Sequence, residues 1–354
     1  GRRRRRGDAA ARARIVREAR FDPTHPRRFE ASDVVKIGDY FYTICDSSWA
    51  IIRVHDSLPM RSVMNSHVGD PQHGFDEGES GFEGIFHDAT ESGLYVVREA
   101  VDVSDRYDTD FPEDGPDGRR LGLAAKTDDP KYHAIVMQVW MPPPEAGSST
   151  SYSVLDACES EYMFDGDSKG FEGAQSVRGA DGVLYVLGLC EGNHCRSGSK
   201  GKDTGNGKVV IMAREETGGP TGGCYWKTVR IVDLPIEGFV DYSALALHHA
   251  TKAVAITSQE NSQIWIGSLT TGSNGEFDPL TAEFEETAVY DMPRAATCAV
   301  QYCNVEGIAW VEDGGDESDA PRVLVGVSDK MKSKGKQAFT CLEKDQSFHL
   351  FQLP

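Results

Sequence analysis

One pattern recurs five times along the chain: a Ser or Glu, a small or polar residue, an apolar stretch, a turn, an alternating strand and a closing acid. The copies occupy residues 32–46, 83–99, 172–191, 243–260 and 306–329. Internal repetition of this kind restricts a chain to repeat architectures, in which each copy forms one supersecondary unit. The two short alternating strands expected in each copy favour an all-β fold.

Two further apolar alternations complete a four-stranded unit. The third strands are predicted at residues 49–55, 133–141, 208–213, 263–269 and 347–353, and the fourth at 61–68, 151–158, 225–234 and 284–292. Four short antiparallel strands joined by Gly, Asp and Ser turns are typical of a propeller blade. The fifth unit lacks an outer strand, and residues 14–21 alternate suitably to supply it. We therefore predict an all-β, five-bladed β-propeller with four antiparallel strands per blade, closed by the N-terminal strand.

The predicted organisation is an Arg-rich arm over residues 1–13 and a single propeller domain over residues 14–354. Residues 102–130 are rich in Asp, Gly and Pro, which favours an excursion loop within the second blade. The alternatives are a six-bladed ring, with this stretch as a degenerate blade, and a β-sandwich.

Charge divides the chain into two parts. The 354 residues carry 37 Lys+Arg and 56 Asp+Glu, a net charge of −19. Residues 1–28 hold 11 Arg and three acids, which is +8, so the remainder carries −27. Such acidity disfavours nucleic-acid binding, and no apolar run reaches the roughly 18 residues of a membrane span. The arm is interpreted as a tail, a targeting remnant, or a segment that docks on an acidic protein partner.

The repeat places polar residues at one mouth of the central channel, because the first strand of a blade starts where the second one returns. The inner set is Ser32, Glu83, Glu172, Ser243 and Glu306, and the outer set is Asp46, Glu99, Glu191, Glu260 and Asp329. Crowded carboxylates demand a counter-charge. Ca²⁺ accepts six to eight oxygen ligands, whereas Zn²⁺ and copper favour softer donors. We expect a calcium site; the alternative is that these acids cap loop N–H groups and face solvent.

The ordered inner set Ser, Glu, Glu, Ser, Glu resembles the central calcium site of the calcium-activated nucleotidase (soluble apyrase) family, whose members are five-bladed propellers. The resemblance implies that Ser32, Glu83, Glu172, Ser243 and Glu306 bind Ca²⁺. Nucleotidases carry an acidic-basic signature after the second strand of the first blade, whereas residues 45–49 of this chain read Cys-Asp-Ser-Ser-Trp, with no Arg. The repeated Glu-Gly-Ile and Leu-Tyr-Val-Val pieces are also similar to esterase-like phytase propellers.

Two classes of function are compatible with this mouth. The first is a calcium-stabilised module that binds a ligand or a protein, or serves as an assembly subunit. The second is a calcium-dependent hydrolase of phosphoesters or phosphoanhydrides, in which Asp46, Glu99 or Glu260 orients water and Arg98 or Lys330 stabilises developing charge. A carboxylic-ester or lactone hydrolase is a third possibility. The basic cluster 330–336 would hold a small anionic ligand if it folds over the mouth.

Eight cysteines, an even number, indicate disulfides in an oxidising compartment. Local bridges are predicted for Cys190 with Cys195 and for Cys298 with Cys303. The other four cysteines would form two bridges in one of three pairings; they are Cys45, Cys158, Cys224 and Cys341. The alternatives are buried free thiols and a zinc site made by Cys190, His194 and Cys195. Together with the acidity, the cysteines predict an extracellular or organelle-lumen location.

Overall fold

The computed structural model describes residues 11–20, 30–59, 65–69, 80–102, 132–144, 151–166, 169–219, 223–272, 275–311, 321–330 and 339–354. Most of the Arg-rich arm, nearly all of the expected excursion loop and most of the basic cluster after Lys330 lie outside these residues.

The regular secondary structure of the described residues consists almost entirely of β-strands. These are β1 Arg14–Arg20, β2 Ala31–Ile37, β3 Tyr40–Cys45, β4 Ser48–His55, β5 Ser66–Val68, β6 Phe82–Asp88, β7 Gly93–Asp102, β8 Tyr132–Trp140, β9 Ser153–Phe164, β10 Phe171–Arg178, β11 Leu184–Cys190, β12 Lys208–Glu215, β13 Tyr225–Asp233, β14 Ala244–Leu247, β15 Ala253–Ser258, β16 Gln263–Leu269, β17 Phe284–Asp291, β18 Val305–Val311, β19 Val323–Ser328 and β20 Ser347–Gln352. One short helix, α1, spans Gly198–Gly201, and 3₁₀ turns span Asn193–Cys195 and Phe339–Glu343.

Within these residues the strands form three four-stranded sheets and one eight-stranded sheet. Two of the four-stranded sheets follow chain order, β2 to β5 and β14 to β17. In the third, β18, β19 and β20 are followed by β1, which pairs antiparallel with β20 from Arg14 opposite Gln352 to Arg20 opposite Ser347. The N-terminal strand therefore completes the last sheet, as the repeat predicts.

The eight-stranded sheet consists of two four-stranded halves, β6 to β9 and β10 to β13, joined through β9 and β13. This junction is parallel and only two residues long, with Tyr225 opposite Glu159 and Trp226 opposite Ser160. A disulfide between Cys158 and Cys224 precedes both pairs and holds the two Cα atoms 5.2 Å apart. Because that separation is close to the spacing of neighbouring strands, the covalent link brings two outer strands into one ladder, which the purely antiparallel prediction does not include.

The innermost strands form a ring. In order around it, β2 contacts β6, β6 contacts β10, β10 contacts β14, β14 contacts β18, and β18 contacts β2. The all-β arrangement is therefore propeller-like, with sheets radiating from a common centre.

Buried apolar side chains lie between neighbouring sheets. Phe41 of β3 stacks on Phe348 of β20 with ring centroids 6.1 Å apart. Trp265 of β16 shares a cluster with Leu187 of β11. β19, the neighbour of inner strand β18, is buried at every position, because its side chains face neighbouring sheets on both sides.

The structure corrects part of the disulfide prediction. The Cys190–Cys195 bridge is present, but Cys303 bonds to Cys341, leaving Cys298 exposed as a free thiol. Cys298 occupies a tight turn in which its N–H donates to the carbonyl of Ala295 at 2.8 Å. The Thr340 hydroxyl instead donates to the Val300 carbonyl, which brings the segment containing Cys341 beside Cys303. The zinc alternative at Cys190 and Cys195 is wrong because both thiols are in a disulfide, whereas Cys45 is a buried free thiol.

A polar network fastens β1 to the last sheet. Glu18 Oε1 lies 2.9 Å from Nδ1 of the fully buried His349, and Glu18 Oε2 accepts from Lys344 Nζ at 2.6 Å. Nε2 of His349 is 2.9 Å from the Ser328 hydroxyl. Burial lowers the pKa of His349, although Glu18 opposes this shift. The pKa of Glu18 is also lowered, because its contacts with His349 and Lys344 outweigh the opposing effect of burial.

The pKa shift of His349 predicts a pH-dependent stability. A histidine whose folded pKa is below its ordinary 6.5 stabilises the fold above that pH, and this stabilisation is lost on acidification. The free energy of unfolding, measured with urea, should therefore fall between about pH 7.5 and pH 5. His349→Gln should flatten this dependence, whereas the exposed Gln352→Ala on the same strand should preserve it. Parallel profiles for His349→Gln and wild type would contradict the assignment.

Candidate functional site

Four of the five inner-set residues lie at irregularities in their strands. The pairing register shifts between Ala31 and Asp33, Phe82 and Gly84, Phe171 and Ala174, and Val305 and Gly307. Ser32, Glu83, Glu172 and Glu306 all fall within these shifts. A β-bulge takes its extra residue out of the ladder and re-aims its side chain. Ser243 immediately precedes β14 and donates its N–H to the Thr257 carbonyl at 3.0 Å.

The glycine that follows each inner glutamate permits neighbouring inner strands to approach closely. A Cβ at Gly307 would lie 2.5 Å from Cα of Asp33, and one at Gly173 would lie 2.9 Å from the Leu245 nitrogen. At Gly84 the nearest atoms, on Ala174 and Val97, would be 3.2 Å away. Real Cβ atoms do not tolerate the two shorter distances, so the Glu-Gly pairs bring the glutamates together by allowing backbone contact behind them.

The glutamates converge with acids of the outer set. Burial raises the pKa of Glu83 well above its usual range, and the negative charges of Glu172, Glu99, Glu306 and Asp46 raise it further. Burial likewise raises the pKa of Glu172, followed by the effects of Glu191, Glu99 and Glu306. Three inner glutamates and three outer acids are therefore close enough to repel one another at one mouth.

Asp329 lies near the same mouth, because its charge, like those of Asp46 and Glu83, raises the pKa of the buried Cys45 thiol after the larger effect of burial. Glu260 is placed differently. It is exposed in the turn after β15, where its N–H contacts the carboxylate of Asp241 at 3.2 Å. Gln259 is the residue directly after the strand, as Asp46, Glu191 and Asp329 are in theirs.

The two serines differ in their bonding. The Ser243 hydroxyl donates to the Val305 carbonyl at 2.9 Å and lies 3.1 Å from the Thr257 hydroxyl. The Ser32 Oγ atom is buried and has no hydrogen-bond partner among the described residues, as is also true of Gln259 Oε1. An unsatisfied buried oxygen is costly, so Ser32 Oγ could serve as a ligand for a cation.

The carboxylates at this mouth lie farther apart than the ligands of a closed metal site. In the part of the chain that the structure describes, groups of three acidic, Cys or His ligand atoms within 4.8 Å of one another reduce to Asp156, Cys158 and Cys224, and the two cysteines are joined in a disulfide. A cation among the ring carboxylates would therefore keep water molecules between itself and some of them. Ca²⁺ accepts such mixed protein and water coordination.

Three basic side chains border the acids, and each has an identified contact. The Arg98 guanidinium carbon lies 4.9 Å from the centroid of the Trp49 ring. Lys169 pairs with Glu191, and Lys330 pairs with the buried Glu30. Since Glu30 adds a further carboxylate, acids outnumber bases at this mouth.

Asp33 is a site residue that sequence reasoning missed. Its side chain is fully buried; Oδ1 accepts from the Val34 N–H at 2.8 Å, and Oδ2 accepts from the Ile85 N–H at 3.0 Å. Burial raises the pKa of this carboxyl well above its usual range, although backbone N–H groups, including that of Ala174, oppose the shift. Asp33 thus connects β2 to β6 and β10. The available signal was that three other copies of the repeat place Gly at this position.

Comparisons with known proteins show no family for this chain. No family model and no curated protein matches the chain. Glutaminyl cyclase from Myxococcus xanthus matches with 12% identity and a TM-score of 0.46, covering 98% of this chain and 98% of that chain. The PQQ-bound aldose sugar dehydrogenase from Streptomyces coelicolor matches with 12% identity and a TM-score of 0.45, covering 96% and 97%. Similarity at this level assigns neither an activity nor a site.

The glycine contacts predict a graded series of stabilities. Gly307→Ala should lower the free energy of unfolding by about 3 kcal/mol, because its new methyl group overlaps the backbone of β2. Gly84→Ala should cost about 1 kcal/mol, since its neighbours are farther away. The control is Gly238→Ala, where a Cβ meets nothing within 4 Å. Urea unfolding would measure all three, and equal effects at Gly307 and Gly238 would contradict the close approach of the inner strands.

Proposed function

We propose that this protein is a five-bladed β-propeller that binds Ca²⁺ at its acidic mouth and acts as a binding module for a ligand or a protein. The blade count takes the halves β6 to β9 and β10 to β13 as separate blades, because only a two-residue pairing joins them. The five inner strands that contact one another in a ring support the same count.

The observation that carries the proposal is the convergence of six carboxylates from the two predicted sets. The donors Ser32, Glu83, Glu172, Ser243 and Glu306 are oxygen ligands, as a hard cation requires. They come from, or immediately precede, five different inner strands. A cation among them would offset the mutual repulsion and connect the strands around the ring.

A structural role for the ion is favoured by the surroundings. Asp33 accepts hydrogen bonds from the backbone of two strands, from Val34 of its own and from Ile85 of β6. Lys169 and Lys330 form ion pairs with Glu191 and Glu30. The mouth thus presents an acidic rim with the half-buried Trp49 at one side, a surface suited to recognition.

A calcium-dependent hydrolase of phosphoesters or phosphoanhydrides is the second candidate, favoured by one specific observation. Arg98 is held over Trp49 beside the acids, where a guanidinium can stabilise a phosphoryl group. Asp46 or Glu99 would orient the attacking water at this side of the mouth. Bound calcium would supply polarisation of a phosphoryl oxygen. Glu260 is a poor candidate base because it lies exposed in its turn.

The proposed compartment is extracellular or an organelle lumen, because the three disulfides are typical of an oxidising environment. Among the described residues, no helix has the length and apolar character needed to cross a membrane.

Calcium binding predicts a thermal shift. At a free Ca²⁺ concentration of about 100 times Kd, stabilisation is about 2.7 kcal/mol, which for a chain of this size raises Tm on the order of 5 °C. Glu172→Gln should reduce that shift by at least about half, yet equal or exceed wild type in a chelator, because it relieves repulsion among the acids. Differential scanning calorimetry with Ca²⁺, Mg²⁺ and chelator would measure both effects.

The matched control for that experiment is Glu237→Gln, an exposed acid in the segment between β13 and β14. It should retain the full calcium shift. The calcium proposal would be wrong if the Tm of the wild type did not change with Ca²⁺. It would also be wrong if Glu172→Gln kept the full calcium-dependent shift in Tm.

The two functions are separated by an assay of phosphate release from a panel of nucleotides and phytate. The hydrolase predicts turnover that requires Ca²⁺ and falls at least about a hundredfold in Asp46→Asn, while Glu260→Gln retains activity. The binding module predicts no turnover across the panel, with the calcium-dependent thermal shift intact. Activity lost equally in both variants would argue against the assignment of Asp46.

A further inference from the structure

The side chain of Asp33 joins three neighbouring strands of the inner ring. Its Oδ1 accepts from the Val34 N–H of β2 at 2.8 Å, and its Oδ2 accepts from the Ile85 N–H of β6 at 3.0 Å. The Ala174 N–H of β10 donates to the same carboxyl group. Asp33 is fully buried, and burying a carboxyl group costs free energy unless hydrogen bonds compensate. The three backbone donors supply that compensation.

The three donors occupy the same position in their copies of the repeat. Each lies two residues beyond an expected calcium ligand. The pairs, with the ligand first, are Ser32 and Val34, Glu83 and Ile85, and Glu172 and Ala174. Two residues of extended chain span about 7 Å. The carboxyl group of Asp33 therefore anchors the backbone close to three ligands that come from three different strands.

Each of these ligands lies where the ladder of its own sheet is irregular. The pairing register shifts between Ala31 and Asp33, between Phe82 and Gly84, and between Phe171 and Ala174. A bulge leaves its extra residue unpaired and disrupts the ladder locally, so ladder hydrogen bonds alone do not determine where that side chain points. The bonds to Asp33 are made at the end of each irregular segment, and they supply the missing restraint.

The other two inner strands are connected to the same centre. A Cβ on Gly307 of β18 would lie 2.5 Å from the Cα atom of Asp33, so β18 packs directly against β2 at this residue. Gln175 Nε2 of β10 donates to the Leu245 carbonyl of β14 at 3.0 Å. Contacts of Asp33 therefore involve four of the five inner strands, and a side chain of β10 connects the fifth.

The ring has little room for more side chains at this position of the repeat. The equivalent residues in the other copies are Gly84, Gly173, Ala244 and Gly307. A Cβ at Gly173 would lie 2.9 Å from the Leu245 nitrogen, and real Cβ atoms do not tolerate such a distance to a backbone atom. Asp33 is thus one acceptor shared by several strands.

We propose that Asp33 is a positioning residue of the calcium site. Its hydrogen bonds fix the backbone beyond Ser32, Glu83 and Glu172, and thereby set how far apart these three ligands lie around the ion. Asp33 acts through the ligands and does not itself bind the ion. This inference rests on the proposed binding of Ca²⁺ and adds the residue that determines the size of the site.

Two measurements on the full-length chain test the proposal: the Kd for Ca²⁺ by isothermal titration calorimetry, and the number of water molecules on bound Tb³⁺ from its luminescence lifetimes in H₂O and D₂O. Asp33→Asn preserves the size of the side chain but replaces an acceptor oxygen with an NH₂ donor, which cannot accept from a backbone N–H. The Kd should rise at least about tenfold, as is typical when a residue that orients metal ligands is lost. About one more water molecule should bind Tb³⁺, because fewer protein oxygens reach the ion together.

Asp88→Asn is the matched control, because Asp88 is also a buried carboxyl group on an inner strand, at the far end of β6. Asp88 Oδ1 accepts from the Thr90 N–H at 3.1 Å, and the carboxyl group pairs with Arg178. The distance along β6 from Glu83 to Asp88 is about 16 Å. Asp88→Asn should lower the Tm in a chelator, yet leave the Kd for Ca²⁺ and the number of water molecules on Tb³⁺ unchanged.

The outcomes separate this inference from the proposed function. If the wild type binds neither Ca²⁺ nor Tb³⁺, calcium binding itself is wrong, and so is the role of Asp33. If the wild type binds both ions and Asp33→Asn has an unchanged Kd and water number, only the positioning role is overturned. Equal weakening in Asp33→Asn and Asp88→Asn would also overturn it, because any lost buried carboxyl group would then have the same effect.

A second variant applies if Asp33→Asn does not fold. Asp33→Gly introduces the residue that three other copies have at this position, and it removes all three hydrogen bonds without adding a donor. It is judged by the same two measurements. Weaker Ca²⁺ binding with more water on Tb³⁺ in the Asp33 variant, and not in Asp88→Asn, supports the positioning role.

Discussion

The close approach of the inner strands is the constraint on which the rest of this structure depends. Glycine after each inner glutamate removes the side chain that would hold neighbouring backbones apart, as Gly307 against Asp33 shows. The same approach that forms the ring forces Glu83 and Glu172 into one crowded, buried environment. The close approach of the inner strands therefore accounts both for the ring and for the repulsion among the carboxylates at its mouth. A cation would reduce that repulsion while the strands stay in contact.

At the outer strands, side-chain contacts and a disulfide hold neighbouring strands together. Glu18 connects β1 to His349 and Lys344, so the N-terminal strand is held by side chains as well as by its ladder. The Cys158–Cys224 disulfide joins two outer strands that would otherwise be separate edges. Both devices limit exposed strand edges, which are the usual weakness of sheet proteins.

Sequence reasoning located the strands well and individual contacts less well. The third strand of each unit appears where apolar alternation predicts it, because burial between two sheets demands apolar side chains at those positions. Glu260 illustrates the limit: one residue of offset after β15 places Gln259 at the position expected for an acid. Cys298 illustrates another, since a five-residue spacing to Cys303 says nothing about the turn that separates them or about Cys341 arriving from later in the chain.

The sequence by itself determined the repeat, the all-β class and the N-terminal strand that completes the last sheet, and it pointed to six of the acids whose charges act on one another. These follow from local periodicity and from equivalent positions in repeated units. Only the tertiary structure decided that Asp33 reaches across to β6, that the register shifts at the glutamates, and that Ser32 Oγ is buried without a partner among the described residues. Those features depend on distances between strands far apart in sequence, and such distances are set by packing around the ring rather than by any local pattern.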